Sequence, residues 1–154
     1  METTRKTGMR EIRTTQTDYE AYIECFMRTD YSDEVGKRSK ADKDPFSFGF
    51  DKYCRRINKQ KETATHTIVY ENKEGNVVAV AELRKEGKAL RIKEFVVNRI
   101  FQLSGYGSKF YREIEALAKE KGYREINLNC YFPGAITFWL KMGFADRGIF
   151  IKKL

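Results

Sequence analysis

"VVNRIFQLSGYGSKFYREIEALAKEKG", residues 96–122, starts as the end of an apolar run, passes two glycines and becomes a helix. The helix shows in apolar residues at Phe110, Ile114, Leu117 and Ala118, the spacing of one helical face, and Gly122 stands where a helix stops. Gly105 and Gly107 therefore sit at a strand-to-helix junction. Backbone N–H groups at a helix N-terminus have no intrahelical acceptor and carry partial positive charge. Glycines ahead of them let the chain approach an anion closely or take a positive φ, so phosphate is the natural ligand. A tight turn with no ligand explains the same two glycines. A dinucleotide fingerprint fails because Phe110 stands where the third glycine belongs, and a P-loop fails because Ser108 precedes Lys109.

Working outward, the pattern on the N-terminal side is β. Residues 63–71 are rich in β-branched residues, and the turns "NKEGN" and "EGK" lead on to a return strand at 77–85 and a third strand at 89–97, which predicts a three-strand meander. Residues 9–15 read as a short first strand. Thr17-x-x-Glu20 has the spacing of a capping box, followed by a helix with Tyr19, Ile23, Phe26 and Met27 on its apolar side. Residues 28–46 are polar and loop-like, and "FSFGFDKYCRRINKQ" reads as a second helix. On the C-terminal side, residues 124–130 form a strand, Pro133 opens a helix that Gly143 closes, and the chain ends in one or two strands. The order is β-α-α-β-β-β-α-β-α-β, with no repeat, low-complexity tract or linker, so residues 1–154 read as one domain.

The chain has 154 residues, 41% of them hydrophobic and 14% aromatic, which fits a globular protein with a sizeable core. Its 30 Lys plus Arg against 22 Asp plus Glu leave a net charge of +8, suited to an anionic partner or simply to solubility. Three widely spaced cysteines, Cys25, Cys54 and Cys130, suggest neither a disulfide framework nor a metal site and fit a reducing cytoplasm. The N-terminal stretch lacks the apolar core of a secretory leader, and no run approaches the ~18 apolar residues of a membrane span.

The stretch "IKEFVVNRIFQLSGYGSKFYREIE" resembles the cofactor motif of the GNAT superfamily, the acyl-CoA N-acyltransferases. That motif is a strand, then (Gln or Arg)-x-x-Gly-x-(Gly or Ala), then a helix; here it is Gln102-Leu103-Ser104-Gly105-Tyr106-Gly107. "AITFWLKMGF", residues 135–144, looks like the family's second motif, Ala-x-x-x-aromatic-x-x-x-Gly-Phe. The element order matches the family over nearly the whole chain. The resemblance implies an α/β fold whose central, mainly antiparallel sheet splays apart at the cofactor cleft. It implies acetyl-CoA as acyl donor, its pyrophosphate on the backbone of Gln102, Leu103, Ser104, Gly105, Tyr106, Gly107 and Ser108, and its pantetheine beside Phe95, Val96 and Val97. It implies transfer of an acetyl group to a primary amine, with no metal and no membrane; nucleic acid is not required, and a homodimer stays open. A non-catalytic acyl-CoA-binding or nucleic-acid-associated module is the alternative.

An alkyl amine has a pKa near ~10.4 and must be neutral to attack a thioester, so a carboxylate in reach can serve as base. Glu94, just before Phe95, stands where many family members carry an acid; a strand-end carboxylate paired with Lys93 or Arg91 is the other explanation. Glu82 on the neighbouring strand is a second candidate. The family often protonates the leaving thiolate with a tyrosine at the aromatic position of the second motif. That position is Trp139 here, and an indole N–H is not a useful acid. Tyr131, at the end of a strand, is the candidate substitute; a packed or interfacial tyrosine, with the thiolate protonated by solvent, is the other explanation. Phe132 stands where the family often has a cofactor-contacting Asn. Lys109 and Arg112 open the post-turn helix within reach of phosphates. His66 in its strand, Cys130 with no base beside it in sequence, and the basic runs near residues 36–40 and 52–61 have ordinary structural or solvated explanations. The acceptor pocket is expected from residues 19–57.

Overall fold

The computed structural model describes residues 8–27 and 49–154. Their elements run β1 (Gly8–Glu11), α1 (Gln16–Met27), α2 (Phe50–Gln60), β2 (Thr65–Glu71), β3 (Val77–Glu86), β4 (Ala89–Val97), a 3-10 turn (Arg99–Phe101), α3 (Tyr106–Glu120), β5 (Glu125–Leu128), α4 (Pro133–Lys141), β6 (Ala145–Asp146) and β7 (Phe150–Lys153). The strands form one sheet in the order β1-β2-β3-β4-β5-β7-β6. All neighbours are antiparallel except β4 and β5, which run parallel with α3 as the crossover. This is the mixed, mainly antiparallel α/β sheet that the sequence implies.

Both faces of the sheet are covered, and two cores result. On one face Ile68, Ala79, Ala81, Leu83 and Ile92 pack with Phe110, Tyr111 and Ile114 of α3 and with Trp139 of α4. On the other, Val69, Val80 and Val96 pack with Cys25 of α1 and with Tyr53 and Ile57 of α2. Central strands buried on both sides cannot alternate cleanly, which is why Thr67, Ile68, Val69 and Tyr70 are all buried.

Two boundaries differ from the expectation for a physical reason. The first strand ends at Glu11 and not at residue 15, because the chain turns to begin α1. The cap of α1 is Thr15, not Thr17: its Oγ1 accepts from the Asp18 amide at 3.2 Å. Asp18 reaches back, accepting from the Arg13 amide at 2.8 Å and from Arg10 at 2.8 and 3.0 Å. Thr15-x-x-Asp18 has the spacing of the expected box, two residues earlier, and adds an ion pair to it. Ile23 and Cys25 are buried and Tyr19 and Phe26 partly so, as the apolar face requires. The polar run 28–46 lies outside the described residues, as does the side chain of Met27.

Candidate functional site

The sheet opens between β4 and β5. Their parallel pairing runs from Ala89 opposite Glu125 to Ile92 opposite Leu128 and stops there, where β5 ends. β4 continues through Lys93, Glu94, Phe95, Val96 and Val97, paired only with β3. A bulge falls at the same place. Leu83 faces Ile92 and Glu82 faces Glu94, so Lys93 is an extra residue in β4. A bulge bends its strand and re-aims the side chains beyond it. Ile92 and Phe95, an odd number of positions apart, consequently join the same core, while Val96 faces the other. The result is a strand edge with one free side, facing the gap where β5 has ended.

That edge runs directly into the glycine turn. Asn98 closes β4: its amide donates to Val78 O at 2.8 Å and its side chain accepts from the Ile100 amide at 3.0 Å. Gln102 Nε2 donates to Val97 O at 3.1 Å, folding the turn back on the strand. Leu103 is fully exposed and has φ +69°, and Gly105 has φ +82° as N-cap of α3. The first bond of α3 is Lys109 N–H to Gly105 O, so the amides of Gly105, Tyr106, Gly107 and Ser108 precede its ladder. A β-carbon on Gly105 would meet nothing within 4 Å; the space in front of it is open. Gly107 differs from expectation. Its φ is not positive, and its β-carbon would meet Phe138 at 3.4 Å and Val97 at 3.5 Å, ordinary contact distances, so neither backbone conformation nor crowding inside the protein demands glycine there.

The face carrying α1 and α2 holds the acids. Glu82 is buried and accepts from Arg56 Nη2 at 3.1 Å and Gln60 Nε2 at 3.3 Å, with Lys93 Nζ at 3.8 Å. Gln60 in turn accepts from Thr67 Oγ1 at 2.8 Å. Glu82 is thus tied down by α2, as a carboxylate that supports the helix. Glu94 is half-buried beside it. Arg56 feels the charges of both carboxylates and keeps a raised pKa although burial pulls it down. Glu94 and Glu82 are therefore brought together at the bulge, with Arg56 of α2 near both.

Trp139 is buried among aromatic rings, with centroids 5.0 Å from Phe95, 5.5 Å from Tyr111, 4.8 Å from Phe138 and 5.2 Å from Phe144. It packs. Tyr131 lies just past the end of β5, on the side where the strands part, and is 78% exposed. Cys130 donates weakly to Phe132 O at 3.8 Å, and burial pushes its thiol above the ordinary range, away from the thiolate a nucleophile needs. Cys25 is fully buried on α1, and burial pushes its thiol up to about 12. His66 is exposed, its Nδ1 3.6 Å from Glu11 Oε1. Lys109 lies over the Tyr106 ring at 5.8 Å and Arg112 is exposed. Among the described residues no group of His, Cys, Asp and Glu could hold a metal ion. Two open cavities of about 350 Å³ flank the sheet, one at the edge by His66 and Gln60, the other behind the turn by Glu24, Ile100 and Phe101. Neither is the gap between the strands.

The sequence that builds this separating parallel pair, glycine turn and helix N-terminus matches the acetyltransferase (GNAT) family over residues 17–144. The chain belongs to that family. It is an acyl-CoA-dependent N-acyltransferase, the activity that defines the family. Solved structures share the fold at low identity. The PaiA N-acetyltransferase of Thermoplasma acidophilum, in complex with coenzyme A, is 17% identical, with a TM-score of 0.73 over 97% of this chain and 100% of that one. A GNAT acetyltransferase of Brucella melitensis, in complex with acetyl-CoA, is 15% identical, with a TM-score of 0.62 over 97% and 88%. An acetyltransferase from Bacillus cereus is 25% identical over 68% of this chain and 91% of that one, at a TM-score of 0.54. A search of curated proteins gives no match.

Sequence reasoning missed Asn98, Glu24 and Arg56. Asn98 was visible in principle, as an Asn that ends an apolar strand two residues before an unpaired amide, the setting of an Asx turn. The partners Glu24 and Arg56 carry no local signal, because the chain distances to Asn98 and Glu82 are long.

Proposed function

We propose that the chain moves an acetyl group from acetyl-CoA to a primary amine of a small molecule or a protein, at the opening between β4 and β5. The observation that carries this reading is the edge of β4 beyond Ile92, which β5 no longer pairs and where Gln102 Nε2 holds Val97 O, continuous with the open amides ahead of α3. The pantetheine amides complete the ladder on that edge, and Gln102, Leu103, Ser104, Gly105, Tyr106, Gly107 and Ser108 wrap the pyrophosphate. The donor's open space at Gly105 and the positive helix end fit two phosphates.

Acetyl-CoA supplies an activated acyl group as a thioester. Glu94 takes the proton that the acceptor ammonium must lose, on the face walled by α1 and α2. Arg56 and Lys93 lie 3.1 and 3.8 Å from Glu82, the acid that faces Glu94 across the ladder. Tyr131 returns a proton to the sulfur as the carbon–sulfur bond breaks, because Trp139 is buried and has no acid proton to give. Charge balances as ammonium and thioester give amide, thiol and one released proton. The reaction calls for neither nucleic acid nor a second copy of the chain. No described helix is long and apolar enough to cross a membrane. Three free thiols support a cytoplasmic setting.

The test is thiol release from acetyl-CoA over a panel of primary amines, with the acetylated product identified by mass. Amine-dependent release supports the reading; binding without release from any amine would replace it with an acyl-CoA-binding module.

A further inference from the structure

We infer that Asn98 and Glu24 form a positioning pair that holds the glycine turn in its binding shape and ties it to α1. Asn98 is 2% exposed, and its hydrogen bonds fix this corner piece by piece. Its amide donates to Val78 O at 2.8 Å, which pins the end of β4 to β3. Its backbone oxygen accepts from the Phe101 amide at 2.8 Å, and its Oδ1 accepts from the Ile100 amide at 3.0 Å, which sets the 3-10 turn. Its Nδ2 donates to Glu24 Oε1 at 2.9 Å. Glu24 belongs to α1, whose packing against β3 and β4 walls the face of Glu94.

Only an amide side chain does this work. Serine or threonine could cap the turn but would not reach α1 with a second group. Aspartate could cap the turn but would set a carboxylate against Glu24. Alanine would orphan the Ile100 amide and a half-buried carboxylate together. Gln102 Nε2 on Val97 O is a second side-chain tie between this turn and the strand. A turn held at Asn98 and Gln102 keeps its amides aimed without ligand. Loosening the Asn98 end makes the ligand supply that order, and affinity falls by the population of the right shape.

The inference rests on the acetyl-CoA reading of this turn, so the experiment measures that first. Calorimetry with acetyl-CoA on the wild type, Asn98→Asp, Glu24→Gln, and the double variant is the test, with kcat and KM for the best amine alongside. Asn98→Asp should weaken acetyl-CoA binding by about tenfold or more and raise its KM, while kcat at saturation and KM for the amine change less than about threefold. The double variant restores the bond in reverse, Gln Nε2 donating to the aspartate, and should recover most of the affinity. A purely structural pair would lower the melting temperature without this split and without the recovery in affinity. If Asn98→Asp fails to fold, Glu24→Ala replaces it, since α1 keeps its core face and Asn98 loses only its partner. Wild-type-like affinity in a folded Asn98→Asp or Glu24→Ala overturns the pair. No binding of acetyl-CoA by the wild type overturns the reading beneath it, and the pair with it.

Discussion

Glu82 and Glu94 stand opposite each other across the β3–β4 ladder, brought into register by the bulge that leaves Lys93 unopposed. Like charges so placed repel, and the arrangement holds because Arg56 and Lys93 lie within 3.1 and 3.8 Å of Glu82. The two acids are not equivalent: Glu82 is buried and tied to α2, while Glu94 is the more open.

If Glu94 is the base, Glu94→Gln keeps the shape and removes the charge. We expect kcat/KM to fall roughly 10²- to 10⁴-fold with acetyl-CoA affinity nearly unchanged. The low-pH limb of kcat/KM, measured with one amine throughout, should vanish or move. Near-wild-type kcat/KM across the pH range would make Glu94 a strand-end carboxylate.

Gly105 offers a cleaner test of charge at the turn. Its φ of +82° strains any side chain, so Gly105→Asn serves as the neutral control for Gly105→Asp. The aspartate variant should bind acetyl-CoA at least tenfold more weakly than the asparagine variant, and the gap should narrow with added salt. Equal affinity would move the pyrophosphate elsewhere. Gly107→Ala should cost less, because its β-carbon meets Phe138 and Val97 at ordinary contact distances.

Trp139→Phe should lower stability by about 1–3 kcal/mol through the smaller ring, while the folded protein keeps its kcat. A ~100-fold loss of kcat with the fold intact would mean that the indole N–H takes part in the reaction.

Much of this was legible in the sequence, and the limits have physical causes. β4 was read to its residue boundaries because Gly87 and Asn98 punctuate the strand-like run between them. The glycine turn was legible because positive φ leaves few residue choices. The start of α1 was misplaced because Thr15 and Thr17 both fit a capping box, and only the distant Arg10–Asp18 pair decides between them. The bulge at Lys93 left no trace in the pattern, since an extra residue reads like any polar residue in a strand. Glu94 was marked only by the family resemblance, and its neighbour Arg56 by nothing local.

Asp18 makes stability depend on acid. Burial pushes its carboxyl up, but bonds from Arg10 and the Arg13 amide outweigh this and hold it below its ordinary 3.8. A lowered folded pKa contributes stability that is complete above the ordinary value and is lost as the pH falls through the folded one. Asp18→Asn should therefore cost about 3 kcal/mol near neutrality, and the deficit should shrink in denaturant titrations taken below pH ~4. A deficit independent of pH would assign the loss to capping alone.

The most direct test of the whole account is a structure of the chain with acetyl-CoA. It should place pyrophosphate oxygens about 3 Å from amides among residues 103–108, with the pantetheine laid along Phe95, Val96 and Val97 in the gap beyond Ile92. The thioester carbonyl should then open toward Glu94. A pyrophosphate bound anywhere else, with the edge of β4 still bare, would contradict it.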